Sequence, residues 1–218
     1  MNTQEQVTPL TMVEFERGVA VWKTHTTWPG DFHNHFYAQL DRENPNGRFD
    51  IDWWQGFLRH LNRWKATRGA SGAALTSQAT AAFPVLTEAW RAACAPHSGG
   101  DVADVRWEQV APFAEAVAAI KPLRSPSPVF VSKFCHFLAP RLFPVVDRAV
   151  MGSAGGFYQV HFESVQRLWL GTPAPTRSQL HEAMRVVARE PLAPNFPTTN
   201  KAVELCLIGR HNGSVAGG

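Results

Sequence analysis

The chain has 218 residues, 44% of them hydrophobic and 18% charged, with eight tryptophans and fourteen phenylalanines. That length is enough for a real core in one domain, or in one with two lobes, and the rings make aromatic-lined cavities possible. A net charge of +3 and a pI near 9.0 suit a polyanionic partner without requiring one.

Cys94, Cys135 and Cys206 are far apart and form no CxxC pair. This argues against a zinc ribbon, a thioredoxin-like site and an iron–sulfur cluster, and favours reduced thiols packed as small hydrophobes. Residues 1–11 are polar rather than signal-like, and no apolar run is long enough to span a bilayer. The expectation is a soluble cytoplasmic protein.

Apolar residues at helical spacing predict a helix over 10–24. Pro29 and Gly30 then break the pattern, so "HTTWPGDFHNHFY" reads as a loop rich in histidine and aromatics. In "DIDWWQGFLRHLNRWKATRG", Asp52 is the expected N-cap, and Trp54, Phe57, Leu58, Leu61 and Trp64 repeat before Gly69. Helices are expected over 74–95 and 101–120, a proline-rich turn at "KPLRSPSP", and a short helix over about 129–138. Another begins near Asp147, two follow near 161–170 and 176–190, and a last one spans 200–210. No run alternates like strands, so the fold class is all-α. Residues 1–210 are expected to form a single helical domain, with a disordered tail over 211–218.

The most informative stretch is "SKFCHFLAPRLFPVVDRAV", residues 132–150. Phe130, Phe134, Phe137 and Leu138 share one helix face, while Lys133 and His136 lie together on another. Pro140 and Pro144 end the helix and force an extended connection. Asp147 then opens the next helix. It can act there as a plain N-cap beside a solvated Arg148, or as a carboxylate at the edge of a cleft that stabilises a cationic transition state.

"FPVVDRAV" resembles the segment of helix-hairpin-helix DNA glycosylases in which a pattern such as "PVDxxV" ends on the essential aspartate. The resemblance implies a two-lobed, all-α fold with DNA and a flipped base between the lobes, and places Asp147 as the catalytic carboxylate. Lys133, His136 and Arg148 would support it. The hairpin "PLRSPSPVFVSK" has no glycine, so phosphate contacts would come from other amides or from Lys121, Arg124 and Lys133. No lysine lies where the lyase-active members carry one, so a monofunctional, water-using enzyme is implied. Branches with such degenerate hairpins include bacterial antiphage enzymes that excise bulky modified bases, such as glucosylated hydroxymethylcytosine. The implied partner is double-stranded DNA with a flipped modified base, bound by a monomer without a cofactor.

Candidates for the base pocket or wedge are Trp28, Phe32, His33, His35 and Tyr37 in the aromatic loop. Trp53 joins them, expected on the opposite side of its helix from Trp54 and Phe57. Ordinary core packing is the competing role for each ring. Arg59, Arg63, Lys65 and Arg68 form a basic run suited to phosphates, or to a solvated helix face. His25, His33, His35 and Asp31 have metal-ligand chemistry, but an HxH without a second anchored cluster does not define a metal site. No Walker loop, GxSxG or HExxH occurs. The rival class is a non-catalytic helical module binding DNA or protein, with Asp147 only a cap.

Overall fold

Thr11 starts the first helix with a reciprocal cap: its hydroxyl accepts from Glu14 N–H at 3.2 Å, and Glu14 Oε2 accepts from Thr11 N–H at 3.0 Å. This is helix α1, Met12–Thr24, in a computed structural model that describes residues 8–25, 27–43, 47, 49–67, 70–121, 128–146 and 157–215. The chain continues through α2 (Asn34–Glu43), α3 (Ile51–Arg63), α4 (Gly72–Ala93), α5 (Trp107–Ala118) and α6 (Pro128–Leu138). It ends with α7 (Tyr158–Gly171), α8 (Ala174–Ala188) and α9 (Thr198–Val215). Short 3-10 turns at Ala95–His97 and Val102–Asp104 link α4 to α5. The protein is all-helical, with nine α-helices and no strand among the described residues. No described helix is long and apolar enough to cross a membrane.

Several boundaries differ from the sequence expectation. Helix α2 begins inside the expected loop, because both Asp31 oxygens cap it, accepting from His33 N–H at 3.2 Å and His35 N–H at 2.9 Å. The cap of α3 is Asp50, whose carboxylate accepts from Trp53 N–H at 2.9 Å, and not Asp52. A 3-10 turn precedes α5 where a continuous helix was expected. Helix α9 runs on to Val215, into the stretch expected to be disordered. The helix expected near Asp147 lies outside the described residues.

Buried side chains from across the fold make one cluster, from Leu10 of the first segment to Ile208 of α9. Its centre is aromatic: Phe134 of α6 lies 4.9 Å from Phe57 of α3, and Phe137 lies 4.8 Å from Trp64. Helices α1 and α9 approach so closely that two glycines face backbone. A Cβ on Gly18 would fall on Leu205 O, and one on Gly209 would fall on Glu14 O. Beside this contact Arg210 Nε donates to Glu14 Oε1 at 2.7 Å. Burial opposes ionisation of Glu14, but the bonds from Arg210 and Thr11 leave its pKa below the usual carboxylate value.

Candidate functional site

The segment leading to Asp147 is held by side chains from three helices. Proline at 140 and 144 interrupts helix, so residues 144–146 belong to no regular element, and their backbone groups need partners from elsewhere. His136 Nδ1 donates to Phe143 O at 2.7 Å, and Tyr158 Oη donates to Pro144 O at 2.9 Å. His161 Nε2 donates to Val145 O at 3.0 Å, and Val146 N–H donates to Ser132 Oγ at 3.0 Å. Just upstream, Asn200 Nδ2 donates to Pro140 O and Arg141 O at 2.7 and 3.0 Å. Phe143 and Val146 are fully buried. The chain therefore reaches position 147 along a fixed path beside Ser132 on α6. Asp147 and Arg148 themselves lie outside the described residues, as do Arg68 and Arg124.

His136 has a structural part in this arrangement. Its Nε2 accepts from Tyr37 Oη at 2.7 Å while Nδ1 donates to Phe143 O, so both nitrogens are engaged and the ring is neutral. Burial, then repulsion from Lys201, lowers its pKa to about 3. It positions the segment and carries no charge with which to tune Asp147. Lys133, 7% exposed, donates from Nζ to Trp64 O at 2.9 Å. Lys121, 8% exposed, reaches Ala66 O at 3.3 Å. Two lysines, one on either side of residues 122–127 in the sequence, thus clasp the carbonyl end of α3, where the helix dipole favours cations. The Lys121 ammonium is engaged there and is not presented to a phosphate. Arg63 and Lys65 beside it are exposed.

The aromatic loop residues do come together, in part. Trp28 stacks on His25 at 4.1 Å and packs on Trp22 at 4.6 Å, and Phe32 stacks on Trp22 at 5.3 Å. His33 sits edge-on to Trp22 at 5.3 Å and against Trp64 at 4.4 Å, which links the loop to the carbonyl that holds Lys133. Phe32 and Tyr37 are completely buried, so they support the cluster from behind and offer no surface to a base. His35 is exposed, away from the ring cluster. Burial, reinforced by the Lys201 charge, pushes the His33 pKa well down, leaving a neutral ring. Among the described residues no group of three or more His, Cys, Asp or Glu side chains is arranged to hold a metal ion.

Trp53 belongs to a different place. Its ring lies on Phe57 at 4.8 Å, one helical turn along the same side of α3, and not on the side opposite Phe57. With Phe57 and Phe137 it lines a separate cleft of about 350 Å³ between α2, α3 and α6. Arg59 reaches into this cleft.

Sequence reasoning missed Lys201, which reads as one polar residue at the start of an amphipathic helix. Its side chain is 1% exposed, bonded to Glu204 at 2.7 Å, with Nζ 4.9 Å from the centre of the Trp22 ring. Glu204→Ala strands this cation in the core and is expected to cost about 3–5 kcal/mol. Lys201→Met, which keeps the stem and removes the charge, is expected to cost much less. Urea unfolding of the two variants checks the asymmetry, and equal losses would contradict it.

Comparison with protein-family models, with curated proteins and with solved structures finds no match.

Proposed function

We propose that the protein is a monofunctional DNA glycosylase that acts as a monomer on double-stranded DNA. It would hydrolyse the N-glycosidic bond of a flipped damaged or modified base, with Asp147 as the catalytic carboxylate. The observation that carries this reading is the fastening of residues 143–146. Four backbone polar groups in succession are each bonded by a different side chain just before Asp147. A plain helix cap does not need such support, whereas a catalytic group must be preorganised. The exposed Arg63 and Lys65 beside the carbonyl end of α3 add positive charge suited to phosphates.

In this mechanism the target nucleotide leaves the stack at a cost of a few kcal/mol. As the bond from C1′ to the base breaks, the electron pair leaves with the base and positive charge builds on the sugar. Asp147 stabilises that charge and orients a water whose oxygen bonds to C1′. The water proton passes to the carboxylate and from there, through solvent, to the departing base, so Asp147 is restored and an abasic site remains. His136 is neutral with both nitrogens engaged, so it takes no part in these transfers.

The test is incubation with ordinary genomic DNA and with phage DNA carrying modified cytosines, glucosylated hydroxymethylcytosine among them. Abasic sites and released bases are followed by mass spectrometry. Wild type is expected to release a base at least roughly 100-fold faster than Asp147→Asn, a loss typical of removing one preorganised electrostatic group. Equal release by both would remove Asp147 from the mechanism. Salt-dependent DNA binding without release would favour the second reading, a non-catalytic DNA-binding module that uses exposed cations such as Arg63 and Lys65.

A further inference from the structure

The cleft between α2, α3 and α6 has a chemistry of its own. Its apolar lining is the half-buried Trp53, backed by the buried Phe57 and Phe137 rings, which stand at 86° to each other. Asp52, Gly56 and Arg59 follow one another along the face of α3 that borders it. Asp52 and Arg59 are exposed, and neither makes a hydrogen bond or ion pair with a described residue. Across the cleft the Glu43 carboxylate accepts from Gln39 Nε2 at 2.8 Å and is bonded to His60 Nε2 at 3.0 Å. Burial opposes its ionisation, but these bonds win and its pKa lies below the usual value.

Gly56 supplies an independent observation. A glycine inside a helix costs about 1 kcal/mol relative to alanine, and it is usually retained where a Cβ would clash. Here an added Cβ would meet nothing nearer than the Arg59 guanidinium at 3.8 Å. Packing does not require this glycine. What its bare backbone does is keep the cleft open between a carboxylate and a guanidinium.

We propose that this cleft binds a nucleobase carrying both an exocyclic amine and a ring carbonyl, the cytosine or guanine type. The ring lies on Trp53, the amine donates to Asp52, and the carbonyl accepts from Arg59. The volume suits a nucleoside, the half-buried Trp53 offers surface to a ring, and the two unengaged groups of opposite polarity match the two ends of such an edge. Two carboxylates against one guanidinium make the cleft unfavourable for phosphate, so the base and not the backbone is the ligand. Every base offers a donor and an acceptor, but only guanine presents two adjacent donors to the Asp52 carboxylate and only cytosine two adjacent acceptors to the Arg59 guanidinium. Adenine and thymine meet each charged group with a single bond. The proposal rests on the base-excision reading only in taking DNA as the source of the base.

Uncharged nucleosides test it without interference from phosphate binding. Cytidine, guanosine, adenosine and thymidine are titrated calorimetrically into the full chain. Cytidine and guanosine are expected to bind about tenfold or more tightly than adenosine and thymidine. Asp52→Asn and Arg59→Met should each remove that preference. Gly56→Ala should weaken all four nucleosides while raising the thermal midpoint, which separates cleft filling from damage to the fold. Equal affinity for the four nucleosides, no binding, or unchanged binding by Gly56→Ala would overturn the proposal. Base release that depends on Asp147 but comes with an unselective cleft sinks this inference alone. Selective nucleoside binding without base release sinks the glycosylase reading alone.

Discussion

Gly209→Ala is expected to cost at least roughly 3 kcal/mol and to leave little folded protein at 37 °C, with Gly18→Ala close behind. The methyl group at either site would land on a carbonyl of the opposing helix, Glu14 O or Leu205 O. Overpacking a core ordinarily costs about 1–3 kcal/mol because side chains can shift. Here the obstacle is backbone on both sides, so relief requires α1 and α9 to move apart. That movement would also stretch the Arg210–Glu14 pair and open the contacts of the Phe15 and Trp22 side chains buried beneath it. Circular dichroism melts decide the matter, with Gly56→Ala as the internal comparison. The same substitution in α3 should stabilise by about 0.5–1 kcal/mol, since its Cβ has room. A Gly209→Ala melt within a few degrees of wild type would mean that the helix pair is looser than its geometry.

Acid should weaken the protein early, well above the range where carboxylates titrate. Burial lowers the pKa of His136 to about 3 and of His161 to about 4, opposed in each case by the bond to a backbone carbonyl. Both rings are neutral when folded, whereas in the unfolded chain each takes up a proton near pH 6.5. Their contribution is therefore complete above pH 6.5 and is lost as pH falls toward 4 and 3. One pKa unit corresponds to about 1.4 kcal/mol, so at pH 4.5 each ring accounts for a loss of roughly 3 kcal/mol. His33 and His181, also lowered by burial, act in the same direction. Glu14 and Glu43, with lowered pKa values, add their loss only below about pH 4.5. Urea midpoints measured from pH 7.5 to 4.5 should fall steeply below pH 6.5, with an uptake of more than about two protons on unfolding. A flat profile down to pH 5 would show that these rings are solvated.

The helices were legible where apolar spacing was regular, as in α3, α6 and α7, because that pattern directly reports a buried face. Helix α2 was hidden because Pro29 and Gly30 mark a break, and the cap that restarts the helix is Asp31, whose histidine neighbours suggested only weak metal-ligand chemistry. Trp53 was placed on the wrong side for a simple reason: residues four apart share a face, and its ring covers Phe57. The apolar run before Asp147 was visible, but its restraints were not. They come from Tyr158 and His161 of α7 and from His136 and Ser132 of α6, which no local pattern connects. The buried Lys201 was equally silent, since a lysine near a helix start gives no sign of what closes over it.

The pairing of α1 with α9 also bears on how the chain acquires its structure. The apolar face of the first helix packs against residues about 190 positions later, as the bond from Arg210 to Glu14 shows. Trp22 has local partners in Trp28 and Phe32, but until α9 has been made α1 lacks the helix it packs against most closely. The entropy of closing so long a loop opposes early docking. During synthesis the middle helices can collapse around Phe57, Phe134 and Phe137 first. The opening helix then remains exposed to solvent and to any chaperone until the final helix emerges.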